Sequence, residues 1–383
     1  MKRLFLKRTH PDGREELREI KLQDAPMNSG GEGSIYRVAG NDSWPVKYGN
    51  ITVTKRACAK IYDQAFLAKH GKEVEKKLQF MINPKNRPGY LDDGAAGLIQ
   101  ICYPFSLLYE ADGTFVGFMM YMALDGSVPL STVTVEKSPA FFKTQRRLGR
   151  LNPLVENVYS KFQFAFGFQP TVSRYALVYN MAGIINYMHE TGRFVIVDLK
   201  PDNFLINSRG GVSLVDVNTV QVHDGSMFYP SLVATPDYVP PEHQANPSGR
   251  MPSSFDLFSM AVVFYQTLVG IHPFAYSIKG GGTNGTSVTD HIRSGEFACG
   301  KSRMKFTLCP QHQRFDNLPG SIKYLFTRAF EGPPSQRPTA REWMDAMKSI
   351  RKGYNGDQKK AGDGSINGKP FQRAISRIIN RIF

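Results

Sequence analysis

Asp198, Lys200, Asn203 and Asp216 fall within one short and otherwise apolar stretch, FVIVDLKPDNFLINSRGGVSLVDVN (residues 194–218). Two carboxylates, an ammonium and an amide are costly as ordinary core and suited to holding charge and moving protons. The stretch reads as three apolar runs, divided by a polar cluster and a turn at Gly210-Gly211. Short strands joined by tight turns would carry the four polar groups at strand ends.

The chain around them has 383 residues, enough for two lobes with a sizeable core, and its 41% apolar and 21% charged content is ordinary for a soluble globular protein. No run reaches the length of a membrane-spanning helix. Met1–Arg8 (MKRLFLKR) is basic but lacks the apolar segment of a secretory leader, so a cytoplasmic protein is expected. Four cysteines, Cys58, Cys102, Cys299 and Cys309, are too few for a disulfide framework. Cys299, Cys309 and His312 match no common zinc spacing and read as buried or incidental groups. A net charge of +15 favours anionic partners such as nucleotide phosphates, acidic proteins or anionic membrane. With no aromatic-rich RNA motif, zinc finger or repeat, no nucleic-acid partner is expected.

The elements that must position the polar stretch can be read in order. Arg3–Arg8 and Glu16–Leu22 flank His10–Gly13 as a hairpin. A glycine-rich segment, Met27–Val38, follows; its glycines would let a loop fold tightly and offer backbone N–H groups to phosphates. Val38–Lys55 is long for a simple connection and suggests an insertion near Trp44-Pro45. Ala57–Tyr62 is an apolar strand interrupted by Lys60, whose buried charge requires a partner. A helix is expected over Asp63–Ile82, with Val74, Leu78 and Met81 on its apolar face. Gln100–Leu108 and Phe115–Met122 read as a second hairpin. Residues 125–170 are irregular and proline-punctuated, and Val172–His189 reads as an amphipathic helix stopped by Gly192. The glycine-rich Lys279–Thr286 segment reads as a loop.

The D-L-K-P-D-N pattern and the following apolar-apolar-Asp triplet resemble the catalytic loop and metal-binding segment of eukaryotic-type protein kinases. The rest of that family's series is present in order: Asn28, Gly30 and Gly33 at the positions of the glycine loop, with Ile35 for its valine; Lys60 in the lysine strand; Ala234–Glu242 (ATPDYVPPE) closing an activation segment; Asp256–Ala261 opening a large helix; Gly270–Phe274; and Arg337 as the ion-pair partner of Glu242. The resemblance runs from about residue 27 to 345. It is nearest in flavour to bacterial eukaryotic-like kinases, some of which are encoded beside a phosphatase and a von Willebrand-type protein, so a phosphatase partner is an expectation.

The resemblance implies an α+β, bilobal fold: an N-lobe (1–122), a helical C-lobe (123–351), a linker (352–369) and a basic amphipathic helix (370–383). It implies a Ser/Thr kinase acting on itself or a partner protein, with ATP and Mg²⁺ (Mn²⁺ as an alternative) as cofactors. Asp198 would orient the substrate hydroxyl, Lys200 would sit near the γ-phosphate, and Asn203 and Asp216 would hold the metal. Lys60 would anchor phosphates, held by Glu75 in preference to Glu73. The nucleotide would be bound by Asn28, Gly30, Gly31, Gly33, Ile35, Ala59 and Lys60, with Met119 as gatekeeper and Met120 and Met122 at the adenine.

Departures from the family pattern set the rival readings. Ile196-Val197 stands where His-Arg is usual, which argues against ordering by an activation-segment phosphate. Asn28 and Asn218 replace glycines. These support a pseudokinase scaffold as the rival reading, which the retained ionic residues oppose; a third reading keeps the fold but changes the reaction to nucleotidyl transfer. In the tail, Phe371, Ile375, Ile378, Ile379 and Ile382 would line one helix face and Arg373, Arg377 and Arg381 the other, suiting an anionic membrane, a partner groove or the protein's own lobe.

Overall fold

A computed structural model describes residues 2–9, 15–40, 42–48, 51–83, 85–88, 97–164, 171–245, 249–280 and 287–361. The first third is dominated by strands: β1 (Lys2–Thr9), β2 (Glu15–Leu22), β3 (Asn28–Gly30), β4 (Gly33–Arg37), β5 (Ser43–Tyr48), β6 (Ile51–Tyr62), β7 (Ile99–Ile101), β8 (Pro104–Tyr109) and β9 (Phe115–Tyr121). All but β7 join an antiparallel sheet of order β2-β1-β8-β9-β6-β4-β3, with β5 paired to the first half of β6. The expected insertion near Trp44 is thus a β5–β6 hairpin.

Alternation along β6 divides the side chains between two faces. Ala57, Ala59 and Ile61 pack with Leu4, Leu6, Ile20 and Met119 on one face. Cys58 and Tyr62 pack with Phe118, Met120 and a long helix, α1 (Gln64–Ile82), on the other. Lys60 shares that second face by alternation. Helix α1 begins one residue inside the expected span and buries Val74, Lys77, Leu78, Phe80 and Met81.

The remainder is mostly helical: α2 (Ser131–Thr134), α3 (Pro139–Arg147), α4 (Pro153–Phe162), α5 (Val172–His189), α6 (Ser253–Val269), α7 (Val288–Ser294), α8 (Gln313–Asp316), α9 (Gly320–Glu331) and α10 (Ala340–Ala361). Pro139 and Pro153 in the irregular region start helices rather than break them. Ser138 and Asn152 cap α3 and α4 through their side chains, and Pro139 and Pro153 occupy first-turn positions where no N–H partner is needed. Helix α5 has the expected span but is not amphipathic: Ala176, Leu177, Val178, Met181, Ile184 and Ile185 are all buried, which places it centrally beside α6 and α10. Helix α10 runs through Ala361 instead of giving way to a linker at residue 352, Gly353 and Gly356 being weak enough breakers to be carried. The 370–383 segment, the His10–Gly13 turn and most of the 279–286 loop lie outside the described residues.

A small sheet couples the two lobes. Strand β7 leaves the N-lobe and pairs in parallel with Val212–Leu214, which continues through Phe204–Asn207 to Ser127–Pro129. The polar stretch of residues 194–218 is therefore laid out as short strands and turns beneath the N-lobe sheet.

Candidate active site

The catalytic turn is fixed from below by Asp256 in the first turn of α6. This fully buried carboxylate accepts the N–H groups of Ile196 at 2.6 Å and Val197 at 2.8 Å, and it meets His189 Nε2 at 2.8 Å. Val197 has φ of 65°, in the left-handed region that β-branched residues avoid, at a cost of about 1–3 kcal/mol. Asp256 and an apolar cluster of Val195, Val197, Val239, Met251 and Phe255 offset that strain. The pinned turn aims Asp198 into the cleft.

The Asp198 carboxylate is almost fully buried and braced on three sides. Its Oδ2 accepts from Lys200 Nζ at 2.7 Å and Asn203 Nδ2 at 3.1 Å, and its Oδ1 accepts from Thr235 Oγ1 at 2.6 Å. Thr235 in turn accepts from Lys200 at 3.0 Å, and Asn203 also donates to the Asp198 carbonyl at 2.8 Å. Asp216 sits opposite with φ of 55°, its side chain 45% exposed and 3.9 Å from Lys60 Nζ. Asp198, Lys200, Asn203 and Asp216 are therefore brought together as the sequence predicts.

They line one cleft of about 300 Å³ with Asn28, Gly30, Gly31, Gly33, Ile35 and Lys60. The β3–β4 hairpin forms its roof. Gly33 must be glycine, because a Cβ there would lie 2.1 Å from the Ile61 carbonyl oxygen; Gly117 meets the Lys60 carbonyl in the same way from the other side. Both allow neighbouring backbone to close on the lysine strand. Asp198, Asn203 and Asp216 present the hard oxygen donors that Mg²⁺ takes, and Lys60 and Lys200 supply cationic donors, so this donor set fits a metal–nucleotide phosphate.

The N-lobe contacts correct several expectations. Lys60 is not held by Glu75: its Nζ lies 2.7 Å from Glu32 Oε2, whereas Glu75 Oε1 accepts from the Tyr109 hydroxyl at 2.9 Å. Helix rotation explains this, since Glu75 points toward β8 while Glu73, Val74 and Lys77 line a cavity with Glu32, Tyr62 and Asn218. Ala59 and Met119 lie on the sheet face opposite Lys60, because a strand's alternation puts Cys58, Phe118 and Met120 on the face of Lys60 instead. The Met122 N–H already donates to the Arg56 carbonyl at 2.9 Å. Asn28 is exposed and uses its side chain to accept the Ser29 N–H, while Ile35 pairs across from Lys60 on the cleft side.

Thr235, Glu32, Tyr62 and Asn218 complete the site without having been assigned to it. Glu32 occupies a variable position between Gly31 and Gly33 that carries no local signal, whereas Thr235 lies inside the quoted activation-segment motif. Burial first, then the Glu32 charge, pushes the Tyr62 phenol well up, so it stays protonated. Burial drives Lys77 down to about 7, partly countered by Glu32, and its ammonium donates to the Pro230 carbonyl at 3.3 Å. The expected Arg337–Glu242 pair is bidentate, at 2.5 and 2.8 Å. Burial raises Glu242, but the Arg337 hydrogen bonds and other favourable contacts outweigh it and hold this carboxyl below its usual value.

His312 is also accounted for within the fold: Nδ1 meets the Tyr265 hydroxyl at 2.7 Å and Nε2 the Ala275 carbonyl at 2.9 Å. Among the described residues no helix is long and apolar enough to cross a membrane.

Known proteins resemble this chain in sequence. The protein kinase domain family matches residues 155–347, half of the chain. The Escherichia coli protein kinase YegI is 26% identical over 45% of this chain and 28% of its own length. The Schizosaccharomyces pombe serine/threonine-protein kinase ppk21 is 30% identical over 41% of this chain and 26% of its own, and the rice CBL-interacting protein kinase 24 is 32% identical over 30% and 24%. The chain spans about a quarter of the length of these relatives. A braced aspartate over an α6 anchor, a lysine strand under a glycine hairpin and the Arg337–Glu242 pair agree with the match: the chain belongs to the protein kinase domain family.

Proposed function

We propose that this chain is an ATP- and Mg²⁺-dependent protein kinase that phosphorylates Ser/Thr hydroxyls on itself or a partner, without gating by activation-segment phosphorylation. The observation that carries the reading is the Asp198 carboxylate, buried and braced by Lys200, Asn203 and Thr235. In phosphoryl transfer most of the protein's contribution is positioning and charge neutralisation. Metal-bound ATP supplies the transferred group and part of the charge neutralisation. One oxygen of the Asp198 carboxylate orients an incoming hydroxyl and accepts its proton, while Lys200 and Thr235 keep the carboxylate in one rotamer. Asn203 and Asp216 would hold the cation, and Lys60 would meet the phosphates.

The Lys200–Thr235 contact supports a Ser/Thr preference, in agreement with the name of the ppk21 relative. Val197, in place of the usual arginine, has its N–H on Asp256 and an apolar side chain, so this loop is ordered without a phosphate partner.

Intact-mass analysis after incubation with ATP and Mg²⁺, with and without EDTA, tests the reading. EDTA-sensitive addition of phosphate supports a kinase. Addition of a nucleotide would replace it with the nucleotidyl-transferase alternative. No addition to the chain or to basic Ser/Thr proteins would favour the scaffold.

A further inference from the structure

Lys60 is 7% exposed, and a buried ammonium needs a fixed counter-charge. Helix α1 does not supply it: Glu75 is engaged by Tyr109, Glu73 lines the neighbouring cavity, and among the described residues the ion pairs of Lys60 are with Glu32 at 2.7 Å and Asp216 at 3.9 Å. The Glu32 contact is built into the fold on three sides. The Asp63 N–H donates to the Glu32 carbonyl at 3.0 Å, tying the hairpin tip to the start of α1. Gly33, next in sequence, presses against the Ile61 carbonyl with no room for a side chain. Asn218, where the family has glycine, donates to Glu32 at 3.5 Å and to the Tyr62 hydroxyl at 3.4 Å, and its amide oxygen accepts from Lys60 at 3.5 Å. Glu32 at the hairpin tip and Asn218, an amide where the family has glycine, thus meet on the same lysine.

We propose that Glu32, seconded by Asn218, is the positioning residue for Lys60, taking the place of a helix α1 carboxylate. This rests on the kinase reading above. Its consequence is that alignment of Lys60 follows the glycine hairpin and the Asp216–Asn218 segment rather than a swing of α1.

The test compares E32Q, E32D, E75Q and the parent protein in two assays. The first is steady-state phosphate transfer with ATP and Mg²⁺. E32Q lowers kcat about tenfold or more with a smaller change in KM, the signature of an interaction that matters in the transition state. E32D recovers part of the loss, and E75Q has the smaller effect, under about threefold. The second assay reads acylation of Lys60 by a small amine-reactive reagent at pH 8, by peptide mass. With the Glu32 carboxylate gone the Lys60 amine is released from its ion pair, so E32Q labels faster than the parent and E75Q does not.

An E32Q protein with unchanged or higher kcat and lower KM for ATP would overturn the proposal, making Glu32 a plug on the resting site. Unchanged labelling in E32Q, or collapse of activity in E75Q alone, would also overturn it. If the parent transfers no phosphate to any substrate, the kinase reading fails by itself, and a positioning role in catalysis falls with it, while the labelling still reports whether the Lys60–Glu32 pair exists.

Discussion

The two walls of the cleft are made in different ways. On the C-lobe wall, Asp198, Lys200 and Asn203 lie within six consecutive residues and are locked by a turn whose N–H groups end on Asp256. On the N-lobe wall, Lys60 depends on which strand face it occupies and on which carboxylate reaches it from a different element. The first wall is local and over-determined. The second is an assembly of separate pieces, and there Lys60 pairs with Glu32 rather than with the expected Glu75. A site fixed by spacing tolerates little change, whereas one fixed by packing can exchange its counter-ion while keeping its lysine.

The largest expected effect comes from breaking the anchor of the local wall. D256A leaves two backbone N–H groups and His189 without their acceptor at a strained turn. Each buried unsatisfied group costs about 1–3 kcal/mol, so thermal unfolding should show a large loss of stability and transfer should vanish. An active, equally stable D256A would show that the turn holds itself. R337A should cost roughly 2–3 kcal/mol in a denaturant titration, less than a fully buried pair because Glu242 is about a third exposed. That pair also fades in acid. Glu242 is held below its unfolded value, so its contribution is present at neutral pH and lost as the pH falls through the folded value.

T235V sharpens the comparison on the catalytic side. It removes a hydroxyl bonded to both Asp198 and Lys200 at similar volume, so kcat should fall about tenfold to a hundredfold, roughly 1.4–2.7 kcal/mol in barrier. The melting temperature should move little, and T235S should restore most of the rate. The smallest effect is one of pH. His272 is buried and pushed down to about 4, its ring bonded to the Asp237 carbonyl and the Phe274 N–H. Between about pH 6.5 and 4 the unfolded chain binds a proton that the folded chain does not, so stability falls as pH drops through that window. H272Q should flatten this slope in melting curves taken across it.

The same contrast decides how much the sequence could disclose. Spacing alone placed Asp198, Lys200, Asn203 and Asp216 at strand ends, because strands of a few residues leave turns no freedom to wander. Helix α1 and the two hairpins of the N-lobe were legible from period and turn residues. What stayed hidden was directional. The rotation that sends Glu75 to Tyr109 and the alternation that turns Ala59 and Met119 away from Lys60 are changed by a shift of a single residue. Helix α5 looked amphipathic because its apolar positions repeat at helical spacing, yet Arg174 and Asn180 are buried there too, bonded to the carbonyls of Thr267, Val133 and Gly210. Buried polar groups satisfied by distant backbone leave no local signal. Nor does a carboxylate at a hairpin tip announce its lysine.

The central claim is most directly tested by transfer of labelled phosphate from ATP with Mg²⁺ into the protein itself and a basic Ser/Thr substrate, for the parent chain and D198A side by side. The predicted result is transfer by the parent and its loss, by about a thousandfold or more, in a D198A protein that still folds and binds nucleotide. Equal transfer by both proteins would contradict the role assigned to Asp198, and none by either would contradict the kinase.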